Sequence, residues 1–178
     1  MFLNAKKLSF LGLLLACAVL MVIISGLLEF NTLFLLAGAS FGVGIAIREC
    51  GLRFGFGFYI ASIFLSFFLA PNKFYCITFA AMGFYLVAAE FVYHKLSYVK
   101  WDMGKRLLIL WVVKFFVFNI MFIPTLILLP KLFYQGEINT LLLAVFILIG
   151  QISLLVYDKA YSYFQKYMWG KIRGKLHL

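Results

Sequence analysis

Polar residues divide this chain into long apolar stretches separated by short breaks. A helix needs about 20 predominantly apolar residues to cross the hydrocarbon core of a bilayer. Six stretches approach or reach this length, and they predict helices over residues 8–29, 32–48, 53–70, 74–95, 106–129 and 139–157. The pattern therefore predicts an all-α integral membrane bundle of six transmembrane helices, in which residues 1–178 form a single transmembrane domain.

The composition supports a membrane protein. Hydrophobic residues make up 66% of the chain and charged residues 12%, whereas about a quarter of the residues in a soluble domain are charged. The first apolar run is longer than the core of a signal peptide, and no small-residue cleavage site follows it, so we interpret it as the first span. The three cysteines show no metal-site or disulfide spacing.

The distribution of basic residues predicts the orientation. Thirteen of the sixteen lysines and arginines fall in alternate breaks and the two terminal segments, and the opposite breaks contain only Lys73 and Lys131. Because basic residues accumulate on the cytoplasmic side, we expect a multi-pass protein of the cell membrane with both termini in the cytoplasm. The net charge of +10 is then explained by orientation and by contact with anionic lipids, without any role for nucleic acid.

Residues 158–178 combine aromatic side chains with five basic ones. This segment is too polar to span a bilayer, and its composition is typical of a helix on an anionic membrane surface. We predict a cytoplasmic interfacial tail. The alternative is a docking segment for a cytoplasmic partner.

The turn Pro71-Asn72-Lys73 interrupts the apolar sequence FLAPNKFYCITF on the side predicted to face outward. Proline ends a helix, and asparagine favours turns and caps. A lysine here can reach the lipid headgroups. The turn is therefore either purely structural or part of an outward-facing binding site.

Ionisable residues inside spans are rare and are candidates for function. Glu90 and Lys114 lie at compatible depths in the fourth and fifth predicted spans, so we predict an intramembrane ion pair between them. The alternative is that each side chain extends to the cytoplasmic interface. Gln151 lies at a similar depth and can join the pair or link helices by hydrogen bonds.

Asn119 lies near the middle of the fifth predicted span, five residues before Pro124. The proline lacks the amide that would bond to the carbonyl of Ile120. This combination indicates either an interhelical hydrogen bond beside a kink or the wall of a pocket. For a pocket at the outer face, the candidate ligand-binding residues are Asn119, Asn72, Lys73, Tyr75 and Gln135.

The second predicted span contains small residues at intervals of four, namely Gly38, Gly42 and Ala46. Such a face allows another helix to approach closely. It either packs within the protein or forms a docking surface for a partner, and we take these three residues as docking candidates. Gly12 and Ala16 form a weaker copy of this spacing in the first span.

Enzymatic motifs are absent from the sequence. It contains no HExxH, GxSxG or Walker A motif, and its six acidic residues are scattered. The one candidate acid/base pair, Glu90 and Lys114, lies towards the cytoplasmic side, away from an external substrate. We therefore expect no enzyme, no metal and no cofactor.

In size, predicted span number and short loops, the chain resembles the S components of bacterial energy-coupling factor (ECF) transporters. The sequence RFGFGFYIASIFLSFFLAPNKFYCITFAAMGFYLVAAE also resembles uncharacterised six-span proteins of low-GC Gram-positive bacteria. The first resemblance implies a subunit that captures a vitamin or related micronutrient outside the cell. It implies docking, through small-residue faces of the first helices, onto a membrane scaffold with two cytoplasmic ATPases. The competing hypothesis is a non-transport membrane scaffold, assembly or immunity-type protein that acts through helix contacts.

Overall fold

The computed structural model describes residues 4–28, 31–128 and 140–176, and most of these residues lie in helices. Six of these are long and apolar enough to cross a membrane, so that part of the prediction is confirmed. The helices are α1 (Ala5–Ser25), α2 (Thr32–Cys50), α3 (Leu52–Leu69), α4 (Lys73–Ser97), α5 (Met103–Leu128) and α6 (Thr140–Tyr163), followed by a π-helical segment (Phe164–Trp169) and α7 (Gly170–Leu176).

The connection between α2 and α3 is a single residue. Gly51 has a φ of 88°, which lies in the region that side chains with a Cβ rarely adopt. This conformation lets α3 begin directly after α2 has ended and run back alongside it. Gly55, in the first turn of α3, then lies directly against the backbone of Ile47, where any Cβ would overlap it.

The core lies among α1, α2, α3 and α4, and α2 is its central helix. In the most apolar stretch of α2, 61% of the residues are buried. In the most apolar stretch of α5, none is buried. The largest fully buried side chains of this core are those of Leu36, Val43 and Phe79, with Val22 of α1 beside them. Most of the buried apolar side chains that the structure describes therefore lie in α1–α4.

The helices α5 and α6 run antiparallel, and three pairs of residues fix their register. The ring of Phe122 occupies the space beside Gly150. The side chain of Gln151 donates a hydrogen bond to that of Asn119, and Lys114 forms an ion pair with Asp158. Two of the three pairs are polar, so this part of the bundle depends on specific side-chain bonds.

The chain continues in helical conformation from α6 through the π-helical segment into α7. Residues Leu141–Gly174 form one continuous helical segment of 34 residues. At 1.5 Å per residue it is about 50 Å long, whereas the hydrocarbon core is about 30 Å thick. Its last turns lie beside the start of α1, where the rings of Phe10 and Trp169 are 5.5 Å apart. We call this end of the bundle the terminal end.

Candidate functional site

Of the four acidic residues that the structure describes, three are buried in the half of the bundle towards the terminal end. Glu49, Glu90 and Asp158 are 8%, 5% and 4% exposed. Each carboxylate forms an ion pair with one basic side chain and accepts a hydrogen bond from one aromatic O–H or N–H group. A buried carboxylate is costly unless it is paired and hydrogen-bonded, and each of these three meets that requirement.

Glu90 of α4 joins α2 to α6. Its Oε1 accepts bonds from Arg48 Nη2 at 2.5 Å and Nε at 2.9 Å, and from the Tyr161 hydroxyl at 2.6 Å. The Arg48 guanidinium also lies 5.5 Å from the centre of the Tyr161 ring. Tyr161 reaches this position because its ring fills the space left by Gly44 of α2, where a Cβ would overlap it.

Asp158 of α6 joins α5 to α4. Its Oδ1 lies 2.6 Å from Lys114 Nζ and accepts a hydrogen bond from the Tyr85 hydroxyl at 3.0 Å. The adjacent Tyr157 extends in another direction, and its hydroxyl lies 2.7 Å from that of Ser40 on α2. Through the adjacent residues Tyr157 and Asp158, α6 is therefore bonded to α2, α4 and α5.

Glu49, the third carboxylate, joins α2 to the end of the chain. Its Oε1 accepts a bond from Trp169 Nε1 at 2.9 Å and lies 3.2 Å from Arg173 Nε. Its backbone carbonyl accepts a bond from Lys7 Nζ at 2.9 Å. The start of α1, the end of α2 and the start of α7 thus meet at one residue.

In this arrangement the positive charge of a basic side chain balances the negative charge of each of the three carboxylates. Within the part of the chain that the structure describes, no group of three or more His, Cys, Asp or Glu residues could hold a metal ion. The geometry indicates that the carboxylates fix the last helix in place.

The predicted ion pair between Glu90 and Lys114 is wrong. Glu90 pairs with Arg48 and Lys114 with Asp158. Sequence position gave the depth of each residue but not the direction in which its helix presents it. Arg48 and Asp158 lie at the borders of the predicted spans, so hydropathy alone does not mark them as buried partners.

Residues 158–176, which belong to the predicted interfacial tail, continue α6 in helical conformation, and one face of this helix packs against the bundle. Asp158, Tyr161, Gln165 and Trp169 are buried on one face of a continuing helix. Their spacing of three, four and four residues is the spacing of one helical face. That spacing was visible in the sequence and could have identified all four.

The Pro71-Asn72-Lys73 turn has a structural role. The Asn72 side chain caps α4 by accepting a bond from the amide of Phe74 at 3.0 Å. Lys73 donates to the carbonyls of Phe67 and Ala70, which end α3, and so satisfies backbone groups that the helix leaves free.

Of the other three candidates for a binding site at the outer face, the structure describes two, and these two have different contacts. Tyr75 packs against the buried core of α1–α4, and Gln135 lies outside the described residues. Asn119 takes part in an interhelical hydrogen bond, because Gln151 Nε2 donates to its Oδ1 at 2.8 Å. Its own amide group donates to the carbonyl of Phe115. The Oε1 atom of Gln151 is buried and has no hydrogen-bond partner among the residues that the structure describes.

The small-residue face of α2 is covered by α1 and is not a free docking surface. A Cβ on Gly42 would lie 3.8 Å from Ala18 and Leu14, and one on Gly38 would lie 3.4 Å from the sulfur of Met21. Ala46 is fully buried. By contrast, the weaker copy in α1 is exposed at both Gly12 and Ala16.

The described polar side chains thus meet mainly towards the terminal end, and a smaller polar pair lies between α5 and α6. Comparison of the chain with protein-family models, with curated proteins and with solved structures found no match.

Proposed function

We propose that this protein is the membrane-embedded solute-binding subunit of a multi-component importer of the energy-coupling factor type. It captures a small solute at the end of the bundle opposite the terminal end. It then docks onto a membrane scaffold that is driven by two cytoplasmic ATPases. The resemblance in size and span number supports this proposal, as do the six apolar helices.

The exposed small-residue face of α1 is the observation that carries the proposal. A Cβ placed on Gly12 would meet nothing within 4 Å, and Ala16 is exposed one turn further along α1. Small residues at this spacing let a second helix approach closely. The resemblance assigns docking to the first helices, and α1 is the first helix. We therefore assign docking to Gly12 and Ala16 instead of to Gly38, Gly42 and Ala46.

The polar pair between α5 and α6 supports solute binding. Asn119 and Gln151 meet in a region where most other side chains are apolar, and no described residue donates a hydrogen bond to the buried Gln151 Oε1. A buried acceptor without a partner costs about 1–3 kcal/mol. A solute that offers an N–H or O–H group would remove this cost. Pro124 lies within α5 one turn beyond Asn119 and cannot bond to the carbonyl of Ile120, which adds a second acceptor nearby.

The docking part of the proposal is tested by purifying tagged protein from its native membranes in a mild detergent. We expect a membrane scaffold and two ATPases to copurify with the wild type. The double variant Gly12→Leu/Ala16→Leu should lose them, because the larger side chains prevent close approach. Gly57→Leu is the matched control, since Gly57 is also exposed with nothing within 4 Å of its Cβ position. Purification without such a module, or equal recovery with all variants, would contradict the proposal.

The solute part is tested separately by extracting small molecules from the purified protein and identifying them by mass spectrometry. We expect one compound to be retained by the wild type and to be depleted in Asn119→Ala and in Gln151→Leu, with expression unchanged. Ser153→Ala serves as control, because Ser153 is exposed on α6 and bonds only to the carbonyl of Ile149. Equal retention in the control and in both test variants would remove the polar pair from the solute site.

A second candidate function is a non-transport scaffold, which is favoured by the fixed last helix. Three carboxylates hold this helix, and no acidic residue follows Asp158 in the sequence. Lys159, Lys166 and Lys171 are all exposed. A helix that is held by these contacts presents its positive charge in a fixed orientation. Copurification of an acidic protein in place of ATPases, and its loss when the three lysines are changed to glutamine, would favour this function.

A further inference from the structure

A shallow groove lies between α3 and α4 on the outer surface of the bundle, near the terminal end. Its volume is about 420 Å³, and its lining is apolar except for one arginine: Leu52, Arg53, Phe56, Phe84, Val87, Ala88 and Phe91. Both helices are long and apolar enough to span a membrane. In a bilayer, the apolar part of this groove therefore faces the acyl chains.

Two basic residues lie at one end of this groove. Arg53 is exposed in the first turn of α3. Lys95, also exposed, lies near the end of α4, with its Nζ 5.7 Å from the centre of the Phe91 ring. Since Phe91 lines the groove, the two cations flank its mouth on the side where the spans reach the membrane surface. A phosphate group is the natural counterion for basic residues at this depth.

A second groove repeats this combination. It also has a volume of about 420 Å³, and Trp101, Lys105, Leu108 and Ile109 line it near the start of α5. It too combines apolar walls with one basic residue at the terminal end, and its tryptophan is typical of a membrane interface. Two grooves on different helices thus present the same pairing of cation and apolar surface.

We propose that the groove between α3 and α4 is a binding site for an anionic phospholipid. One acyl chain lies along Leu52, Phe56, Phe84 and Val87, and the phosphate group of the lipid lies between Arg53 and Lys95. The charge at the mouth favours a lipid over a partner helix, because an apolar helix would leave both cations without a counterion. This inference is independent of the proposed transport function.

The test uses the full-length protein purified in detergent and incubated with phosphatidylglycerol or with phosphatidylcholine of the same acyl chains. Native mass spectrometry then counts the lipids that each protein retains. We expect the wild type to retain phosphatidylglycerol in preference to phosphatidylcholine, and Arg53→Gln to bind phosphatidylglycerol about fivefold more weakly. Lys100→Gln is the matched control, because Lys100 is an exposed cation near the same end and lines neither groove.

The apolar part of the site is tested with Ala88→Phe, which fills the groove. This variant should reduce the retention of both lipids while leaving the melting temperature of the protein close to that of the wild type. Equal loss of phosphatidylglycerol in Arg53→Gln and Lys100→Gln would overturn the proposal, since it would indicate attraction to the whole basic surface. Retention of phosphatidylcholine equal to that of phosphatidylglycerol in the wild type would also overturn it, as would a second copy of the chain bound at the groove.

Discussion

At the scale of single residues, the ion pairs of Glu90 and Asp158 differ in how exposed their cations are to water. The side chain of Lys114 is 11% exposed, whereas that of Arg48 is 40% exposed. Removal of a carboxylate leaves a buried, unpaired cation in the first case and a half-hydrated one in the second. The two pairs should therefore contribute unequally to stability, although their N···O distances are similar, at 2.5 Å and 2.6 Å.

We predict that Asp158→Asn lowers the free energy of unfolding by about 3–5 kcal/mol, the usual cost of breaking a buried ion pair. Glu90→Gln should cost clearly less, because water can hydrate Arg48. Unfolding in mixed micelles with increasing SDS, followed by circular dichroism, measures both. A loss for Glu90→Gln as large as that for Asp158→Asn would contradict this ranking.

The double variant Lys114→Met/Asp158→Leu separates charge from packing. It removes both partners, so no unpaired charge is left inside the bundle, and we expect it to recover most of the stability lost in Asp158→Asn. Its recovery should be incomplete, because the hydroxyl of Tyr85 also bonds to Asp158 and would lose its acceptor. A double variant less stable than Asp158→Asn would show that the pair itself is strongly stabilising.

At the scale of the element, the last helix is held at intervals along most of its length. Its buried face carries Gln151, Asp158, Tyr161 and Trp169, which bond to α5, α4 and α2. The π-helical segment ends at the last of these contacts, Trp169, and such wide turns are uncommon and often occur at functional positions. The helix passes the expected membrane boundary without losing its contacts to the bundle, which keeps its basic face in a fixed orientation.

We predict that Trp169→Phe loosens the end of this helix. The substitution keeps the ring contact with Phe10 but removes the N–H group that bonds to Glu49, and hydrogen bonds to charged groups contribute about 1.5–3 kcal/mol. Trypsin should then cleave after Lys166 and Lys171 several-fold faster than in the wild type. Tyr167→Phe is the control, because the Tyr167 side chain is exposed on the same helix. Equal cleavage rates in the two variants would contradict a role for the Glu49 contact.

At the scale of the whole molecule, the sequence predicted the helices well and their mutual arrangement poorly. Hydropathy depends only on the length and composition of a stretch, and six stretches were sufficient to identify six helices. The partners of Glu90 and Lys114 depend on how each helix is rotated about its axis, which depth does not reveal. In the same way, the spacing of Gly38 and Gly42 predicted close packing but could not show that α1 occupies that face.

The orientation of the molecule is the prediction with the widest consequences. The contacts of Lys7, Glu49 and Arg173 place the two described ends of the chain together, and the excess of basic residues near this end predicts that it faces the cytoplasm. Single cysteines introduced into a variant without Cys17, Cys50 and Cys76 can test this in intact cells with a membrane-impermeant maleimide. Asn31→Cys, at the start of α2, should be labelled from outside.

Lys100→Cys and Lys171→Cys should both be labelled only after the cells are permeabilised, because both positions are exposed near the terminal end. The two sites lie on different segments, so agreement between them tests the number of spans as well as the orientation. If Lys171→Cys were labelled in intact cells while Asn31→Cys was not, the bundle would be inverted. The basic last helix would then face outward, where no ATPase could reach it, and the importer proposal would fail together with the predicted topology.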